Sequence, residues 1–282
     1  MRALFLIPGD SVNQLQALPA VAATAQQLGF AMQVACSPET AGVWKLLPAV
    51  EKVIPFNFAS ANLADWSNLL GSVRDPDFQA CINLASGREV DLMLSMSHIP
   101  TRMAAGGFSA TEKVTPPSGT WPSQALEAYL RPIGVQLDAE AFRLALPPAA
   151  VNEAVAALPS GDGPMLLLAP SGQAGDWPAN HWQALPERIR TALPSLRCRN
   201  VGPASSAAEP LLQRAAQVAA SDVVLASDPT TIELALLRGL PLVALGRLPE
   251  TLPARVGVKG LGKPGTLAAL EPDAVLTALG LG

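Results

Sequence analysis

Residues 221–246, SDVVLASDPTTIELALLRGLPLVALG, decide how this chain is read. Val223, Val224 and Leu225 form a β-branched and aliphatic run of the kind found in buried parallel strands. Ser227, Asp228, Pro229, Thr230 and Thr231 break that run. Pro229 presets a helical φ, and Ser, Asp and Thr are residue types that cap helix N-termini. Ile232, Leu234, Ala235, Leu236 and Leu237 then give a helix with a broad apolar face. Gly239 ends it, Pro241 prevents its continuation, and Leu242 to Leu245 form the next strand. The loop at Asp228 therefore lies at the carboxyl end of a parallel strand. Doubly wound sheets bind ligands there, and a helix N-terminus at such a place favours an anion such as phosphate.

Glu233 falls in the first turn of this helix. It reads in two ways. An acid there is stabilised by the helix dipole and needs no ligand. Alternatively, its carboxylate hydrogen-bonds a ribose hydroxyl while loop amides hold a diphosphate. Both readings stand at this level.

A chain of 282 residues holds one large or two ordinary domains. Hydrophobic residues make up 49% and charged residues 15%, so a large core is easily filled. The low charge also leaves a rather apolar surface, which suits a partner chain or a membrane surface. A net charge of −4 without any dense Lys/Arg tract argues against nucleic acid. Cys36, Cys81 and Cys198 lie far apart, form no C-x-x-C unit and are odd in number. They read as small buried hydrophobes in a reducing compartment. The opening MRALFLIPGD is too short an apolar run for a signal peptide, and no segment has the apolar length of a membrane span. The expected location is the cytoplasm, including the inner face of a membrane. The abundance of Ala, Leu and Pro suits a GC-rich bacterial genome.

Around the opening stretch, strands and helices alternate. Residues 2–8 read as a strand, 12–28 as a helix stopped by Gly29, and 30–36 as a strand. Ser37 is expected to cap a helix through Leu47. Residues 53–56 read as a strand, 59–73 as a helix, 78–84 as a strand and 86–97 as a helix. The pattern fails over residues 106–123, rich in Gly, Ser, Thr and Pro, and a helix at 124–131 follows. Residues 147–164 carry Pro and Gly on both sides of a helix at 149–158 and read as the interdomain connection. The alternation then restarts: strand 165–169, a small-residue loop, a helix from Trp177-Pro178 to about Leu193, strand 196–201 and helix 205–220. After the opening stretch come a strand at 256–259 and a helix at 266–279. This order predicts an α/β fold of two Rossmann-like, doubly wound domains facing a cleft, residues 1–147 and 148–282.

Candidate chemistry is concentrated at strand ends. Asp10 follows the first strand and suits a general base taking a proton from a substrate hydroxyl. It equally suits a turn Asp capping the next helix. Ser171, Gly172 and Gln173 belong to a loop small enough for its amides to approach a phosphate, or to an ordinary strand-to-helix loop. No G-x-x-x-x-G-K-[ST] is present and the loop lacks the G-x-G-x-x-G order, so P-loop and nicotinamide readings are weak. His98 and Arg102 sit near the end of a first-half helix. A cation is stabilised by the dipole there, and the two could also line an acceptor site. His181 reads as a surface or packing residue. No Ser/His/Asp or zinc constellation emerges, and no cofactor fingerprint is present.

Several segments together resemble glycosyltransferase family 9, the ADP-heptose:lipopolysaccharide heptosyltransferases. In the first half these are IPGD…LPAVAATAQQLGFAMQVAC, LLPAVEKVIPF and DFQACINL. In the second, LLLAPSGQAGDWPANHWQAL is similar to the family's strand, small-residue loop and W-P-x-x-x-W segment. SDVVLASDPTTIELALLRGLPLVALG takes the place of the family's D-[ST]-G-x-x-H-L-A-A-A-x-x-x-P motif. The resemblance covers most of the chain. It implies a GT-B fold, an acceptor held by the first domain, a nucleotide sugar held by the second, and no metal. By position, Asp10 matches the family's catalytic base and Asp228 the Asp that opens the donor motif. Three residues are inserted after Asp10, Gly175 replaces a lysine, Thr230 a glycine and Glu233 a histidine. The run T-x-E-L-A-L-L-R-G-L-P is also similar to the donor loop of lipid A disaccharide synthase, where a glutamate holds the nucleotide ribose.

The resemblance implies a metal-independent inverting transfer of a sugar, such as a heptose, from a nucleotide sugar to a glycan or lipid-linked acceptor. Asp10 would serve as base, and Ser171, Gly172, Gln173, Asp228, Thr230, Thr231 and Glu233 would hold the donor. With the lysine and histidine gone, the diphosphate falls to backbone amides and a helix dipole. The same departures suit a second reading, a GT-B scaffold without turnover that binds a protein or a nucleotide.

Overall fold

A computed structural model describes residues 1–74, 77–204 and 210–281. The chain forms two compact units, Met1–Phe142 and Arg143–Gly282. The sequence division after residue 147 falls slightly later. Residues 143–147 go with the second unit, where Leu144 N–H donates to the Leu237 carbonyl at 2.9 Å.

The first unit begins with β1 (Arg2–Leu6), whose residues 3–6 are all buried, as a continuous apolar run requires of a central parallel strand. α1 (Ser11–Leu28) follows, capped by Asp10 and ended by Gly29 in the left-handed conformation, φ +64°. Then come β2 (Ala31–Cys36), β3 (Val50–Pro55), α2 (Leu63–Arg74), β4 (Phe78–Asn83), α3 (Arg88–Met96), β5 (Thr101–Ala104) and β6 (Glu112–Lys113). The short helices α4 (Pro122–Ala125) and α5 (Glu127–Leu130) complete the unit. Its strands, all parallel, lie in the order β3-β2-β1-β4-β5-β6. Leu4, Leu6, Ile54, Phe56, Leu69, Val90 and Met93 belong to one buried cluster of this sheet, α2 and α3. Each such side chain contributes roughly 1.5–3 kcal/mol on burial.

The second unit contains α6 (Pro148–Ala156), β7 (Met165–Ala169), α7 (Ala179–Ala192), β8 (Arg197–Asn200), α8 (Leu211–Ala219), β9 (Val223–Ala226), α9 (Pro229–Arg238), β10 (Leu242–Leu245), β11 (Val258–Leu261) and α10 (Pro272–Ala278). Its parallel strands lie in the order β11-β10-β9-β7-β8. Leu166, Leu168, Trp182, Leu185, Leu225 and Val243 belong to its core. The expected α/β fold of two doubly wound sheets is therefore present. In each sheet the order reverses beside one strand: β1, flanked by β2 and β4, and β7, flanked by β8 and β9. Ligands bind doubly wound sheets at the carboxyl ends of such strands.

Local expectations change in several places. The helix after Ser37 is a 3-10 helix, Pro38–Leu46, and Ser37 makes no side-chain cap. The helix placed at 124–131 breaks at Leu126 into α4 and α5. Arg102 lies in β5 and not on a helix, so no helix dipole acts on it as an end residue. His98 lies two residues beyond α3 with φ +62°. The terminal helix is a 3-10 turn, Leu267–Ala269, followed by α10, because Pro272 restarts the helix. Of the helix expected at 205–220, residues 205–209 lie outside the described residues. No helix among the described residues is long and apolar enough to cross a membrane.

Candidate functional site

At the switch point of the first unit, the turn after β1 carries Asp10. One carboxylate oxygen accepts from Val12 N at 2.9 Å and Asn13 N at 3.2 Å, while the Asn13 side chain returns to Asp10 N at 3.1 Å. This reciprocal cap holds an exposed carboxylate at the carboxyl end of β1. Gln14, fully buried, fixes the same turn from below. Its Nε2 donates to the Ile7 carbonyl at 2.9 Å and its Oε1 accepts from Trp44 Nε1 at 3.1 Å. The first unit thus presents an exposed carboxylate on a hydrogen-bonded turn.

His98 and Arg102 lie in the same unit. His98 Nε2 is 3.2 Å from an Arg74 guanidinium nitrogen. Arg102 Nε donates to the Ser109 carbonyl at 2.7 Å and its Nη1 to the Ile99 carbonyl, which binds it to the loop after β5. Asp91, buried on α3, clasps that loop through Ser109 Oγ at 2.6 Å. A hollow of about 580 Å³ between α2 and α3 is lined by Trp66, Leu70, Leu92 and Met96 and has a largely apolar wall.

At the second switch point the loops after β7 and β9 are sewn together. Ser171 N donates to Ser227 Oγ at 2.8 Å, and Ser227 N and Asp228 N both donate to the Ala169 carbonyl. Within the first loop, Gly172 N donates to Asp176 Oδ2 at 3.0 Å and Gln173 N to Ser171 Oγ at 3.3 Å. Asp176 Oδ1 accepts from Trp177 N at 2.7 Å. Trp177 is buried against Trp182 and anchored by its indole N–H to the Leu270 carbonyl at 2.8 Å. His181 packs against the same indole, with ring centroids 5.2 Å apart. The loop is therefore held by internal hydrogen bonds, and these three amides are already engaged within the protein.

Asp228 is the N-cap of α9 and is buried. Its Oδ2 accepts from Thr231 N at 2.8 Å and Thr231 Oγ1 at 2.6 Å, and Oδ1 from Ala204 N at 3.3 Å. Thr231 in turn accepts from the buried Arg214 guanidinium at 3.3 Å. Thr230 is half-buried beside them.

A pocket of about 250 Å³ opens beside this assembly, lined by Ser171, Gln173, Gly175, Pro229, Ile232 and Arg247, among others. Ser171 and Gln173 line it. Gly172, Asp228, Thr230, Thr231 and Glu233 are not among the lining residues. Glu233 is fully buried, with Oε1 2.9 Å from Nη1 of Arg247, whose side chain is 18% exposed. Arg247 is a charged lining residue that sequence reasoning did not single out. A cation directly after the carboxyl end of a parallel strand, at Gly246-Arg247, is the signal that could have found it. Gly175, where the resemblance leads one to expect lysine, has φ +81°, and a Cβ there would stand 2.7 Å from the Gly265 carbonyl oxygen. Glycine at this position thus accommodates the close approach of another backbone. Among the described residues, no group of three or more His, Cys, Asp and Glu side chains is arranged to hold a metal ion.

No protein-family model matches the sequence, and no curated protein does. Solved structures do match. ADP-heptose lps heptosyltransferase II of E. coli superposes with TM-score 0.75 at 18% identity, covering 99% of this chain and 98% of that one. A family 9 glycosyltransferase of Veillonella parvula gives TM-score 0.76 at 12% identity, covering 99% and 96%. The E. coli heptosyltransferase WaaC, solved with ADP-2-deoxy-2-fluoro heptose, gives TM-score 0.72 at 16% identity, covering 99% of both chains. This chain has the fold of the family 9 glycosyltransferases. The heptosyltransferase-like fold spans both units, so the GT-B expectation drawn from the sequence segments agrees with the structural neighbours.

Proposed function

We propose that this protein is a heptosyltransferase-like glycosyltransferase that moves a sugar from a nucleotide-sugar donor to a hydroxyl of a glycan or lipid-linked acceptor. The observation that carries the reading is the full-length match to heptosyltransferase folds, joined to a carboxylate at one switch point and a small pocket at the other. The donor occupies the pocket of the second unit, beside Ser171, Gln173 and the start of α9. Ser171, Gln173 and Pro229 line its wall, and the Asp228–Thr231 cap holds the start of α9. Asp10 removes the proton of the acceptor hydroxyl as that oxygen attacks the anomeric carbon. The bond to the diphosphate breaks, and the configuration inverts. The reading requires no metal, and His98 and Arg102 belong to the acceptor-binding unit. A bacterial cytoplasm, where nucleotide sugars are made, suits this reading, and the Ala-, Leu- and Pro-rich composition supports a bacterial source.

The test is a thermal-shift screen of ADP, UDP, GDP and CMP and their sugars, followed by turnover assays. A bound donor at 100 times its Kd stabilises the protein by about 2.7 kcal/mol. Asp10→Ser separates the two duties of Asp10, because Ser also caps helices. The variant is expected to keep wild-type stability within about 0.5 kcal/mol and to lose about 100-fold or more in kcat. No shift with any nucleotide at millimolar concentration would overturn the reading.

A further inference from the structure

The pocket of the second unit has an unexpected electrostatic composition. The amides of Ser171, Gly172, Gln173 and Thr231 each donate to a side-chain oxygen of the same unit. Pro229, the first residue of α9, has no N–H, and Ile232 N donates to the Asp228 carbonyl. These amides, on which the expected phosphate cradle largely rested, are thus engaged internally. Two charged residues line the pocket, Asp176 and Arg247. The Asp176 carboxylate is turned into its own loop, where both oxygens accept backbone N–H groups. Arg247 supplies the cation.

We propose that Arg247 is the group through which this pocket takes the phosphates of its ligand, and that Glu233 is a positioning residue which holds the guanidinium instead of touching the ligand's sugar. The pairing is built into the fold. Gly246, at φ +79°, turns the chain out of β10. Gly260 on β11 leaves space for the Arg247 carbonyl, since a Cβ there would stand 2.3 Å from that oxygen. The guanidinium then reaches Glu233 Oε1 at 2.9 Å and the Thr251 carbonyl at 3.4 Å. Glu233 is 0% exposed and Arg247 18%, so the carboxylate lies beneath and the cation reaches the pocket. A buried carboxylate that loses its cation is costly, which locks the pair together. A guanidinium carries five N–H donors in a planar fork suited to phosphate oxygens, so two intramolecular bonds leave donors for a ligand. The histidine-to-glutamate and lysine-to-glycine departures then read as one relocation of positive charge, from the loop at Gly175 to Arg247.

The identity of the ligand as a nucleoside diphosphate rests on the glycosyltransferase reading. The anion site rests on its own geometry. Isothermal titration of uridine, adenosine, their diphosphates and inorganic pyrophosphate against wild type, Arg247→Gln and Glu233→Gln separates the two. Arg247→Gln is expected to weaken the diphosphates and pyrophosphate by about tenfold or more and to leave the nucleosides unchanged. Glu233→Gln is expected to give a smaller loss of the same kind, again without effect on the nucleosides. Wild-type diphosphate affinity in Arg247→Gln would overturn the proposal. So would equal losses of nucleoside and diphosphate in Glu233→Gln, the signature of a ribose contact. Should either single variant fail to fold, the double variant Arg247→Gln/Glu233→Gln replaces the ion pair with a neutral pair and carries the same comparison. Arg247-dependent binding of pyrophosphate without nucleotide binding would uphold the anion site and overturn the nucleotide-sugar reading. No binding of any phosphate by the wild type would overturn both.

Discussion

Gln14 shows how much a single side chain carries at the first switch point. It is fully buried and satisfies both the Ile7 carbonyl and the Trp44 indole. Gln14→Leu keeps the volume but leaves both partners unsatisfied, so a loss of about 1–3 kcal/mol is expected in urea unfolding. If Asp10 is the base, kcat should fall more than KM rises in the same variant, because the turn that holds the carboxylate loosens. The sequence reading singled out Asp10 because a turn Asp after an apolar strand is a local signal. It did not find Gln14, whose importance comes from Trp44, thirty residues away in the chain. Arg247 was hidden for the same reason. Its meaning depends on Glu233, across the rest of α9 and the whole of β10.

Secondary-structure elements were legible where their ends are written in local chemistry. In α9, Asp228 caps, Pro229 opens and Gly239 closes at φ +77°, as residues 221–246 announced. β5 was not legible. Its four residues, TRMA, have no long apolar run, and its identity comes from pairing with β4 and β6. The loop after β7 is the element on which restoring a family-like residue should fail. Gly175→Lys forces a side chain into left-handed backbone and against the Gly265 carbonyl. A destabilisation of about 2 kcal/mol or more is expected from strain alone. Calorimetry should show a lowered melting temperature, and titration with nucleotide should show no gain in affinity despite the added positive charge.

Titratable groups inside the protein set its tolerance of alkali. Burial pushes the thiols of Cys36, Cys81 and Cys198 and the phenol of Tyr129 above their ordinary values. A raised thiol stays protonated in the folded chain while the unfolded chain gives its proton up. Stability is therefore fully present below the unfolded thiol value, about 8.5, and declines as pH rises beyond it. The urea midpoint should be lower at pH 10 than at pH 7. Two of the thiols and the phenol lie in the first unit, so its transition should shift more if the two units unfold separately.

The strand orders carry a further consequence. Each sheet draws all of its strands from one uninterrupted stretch: β1 to β6 before residue 142, β7 to β11 after 143. During translation the earlier stretch leaves the ribosome first, and domains generally fold as units in that order. β1, in the interior of its sheet, must wait for β4 before both of its edges are covered. The nascent chain thus carries one half-paired apolar strand until residue 83 has emerged, and the interval in which a chaperone has something to hold is written into the order of the strands.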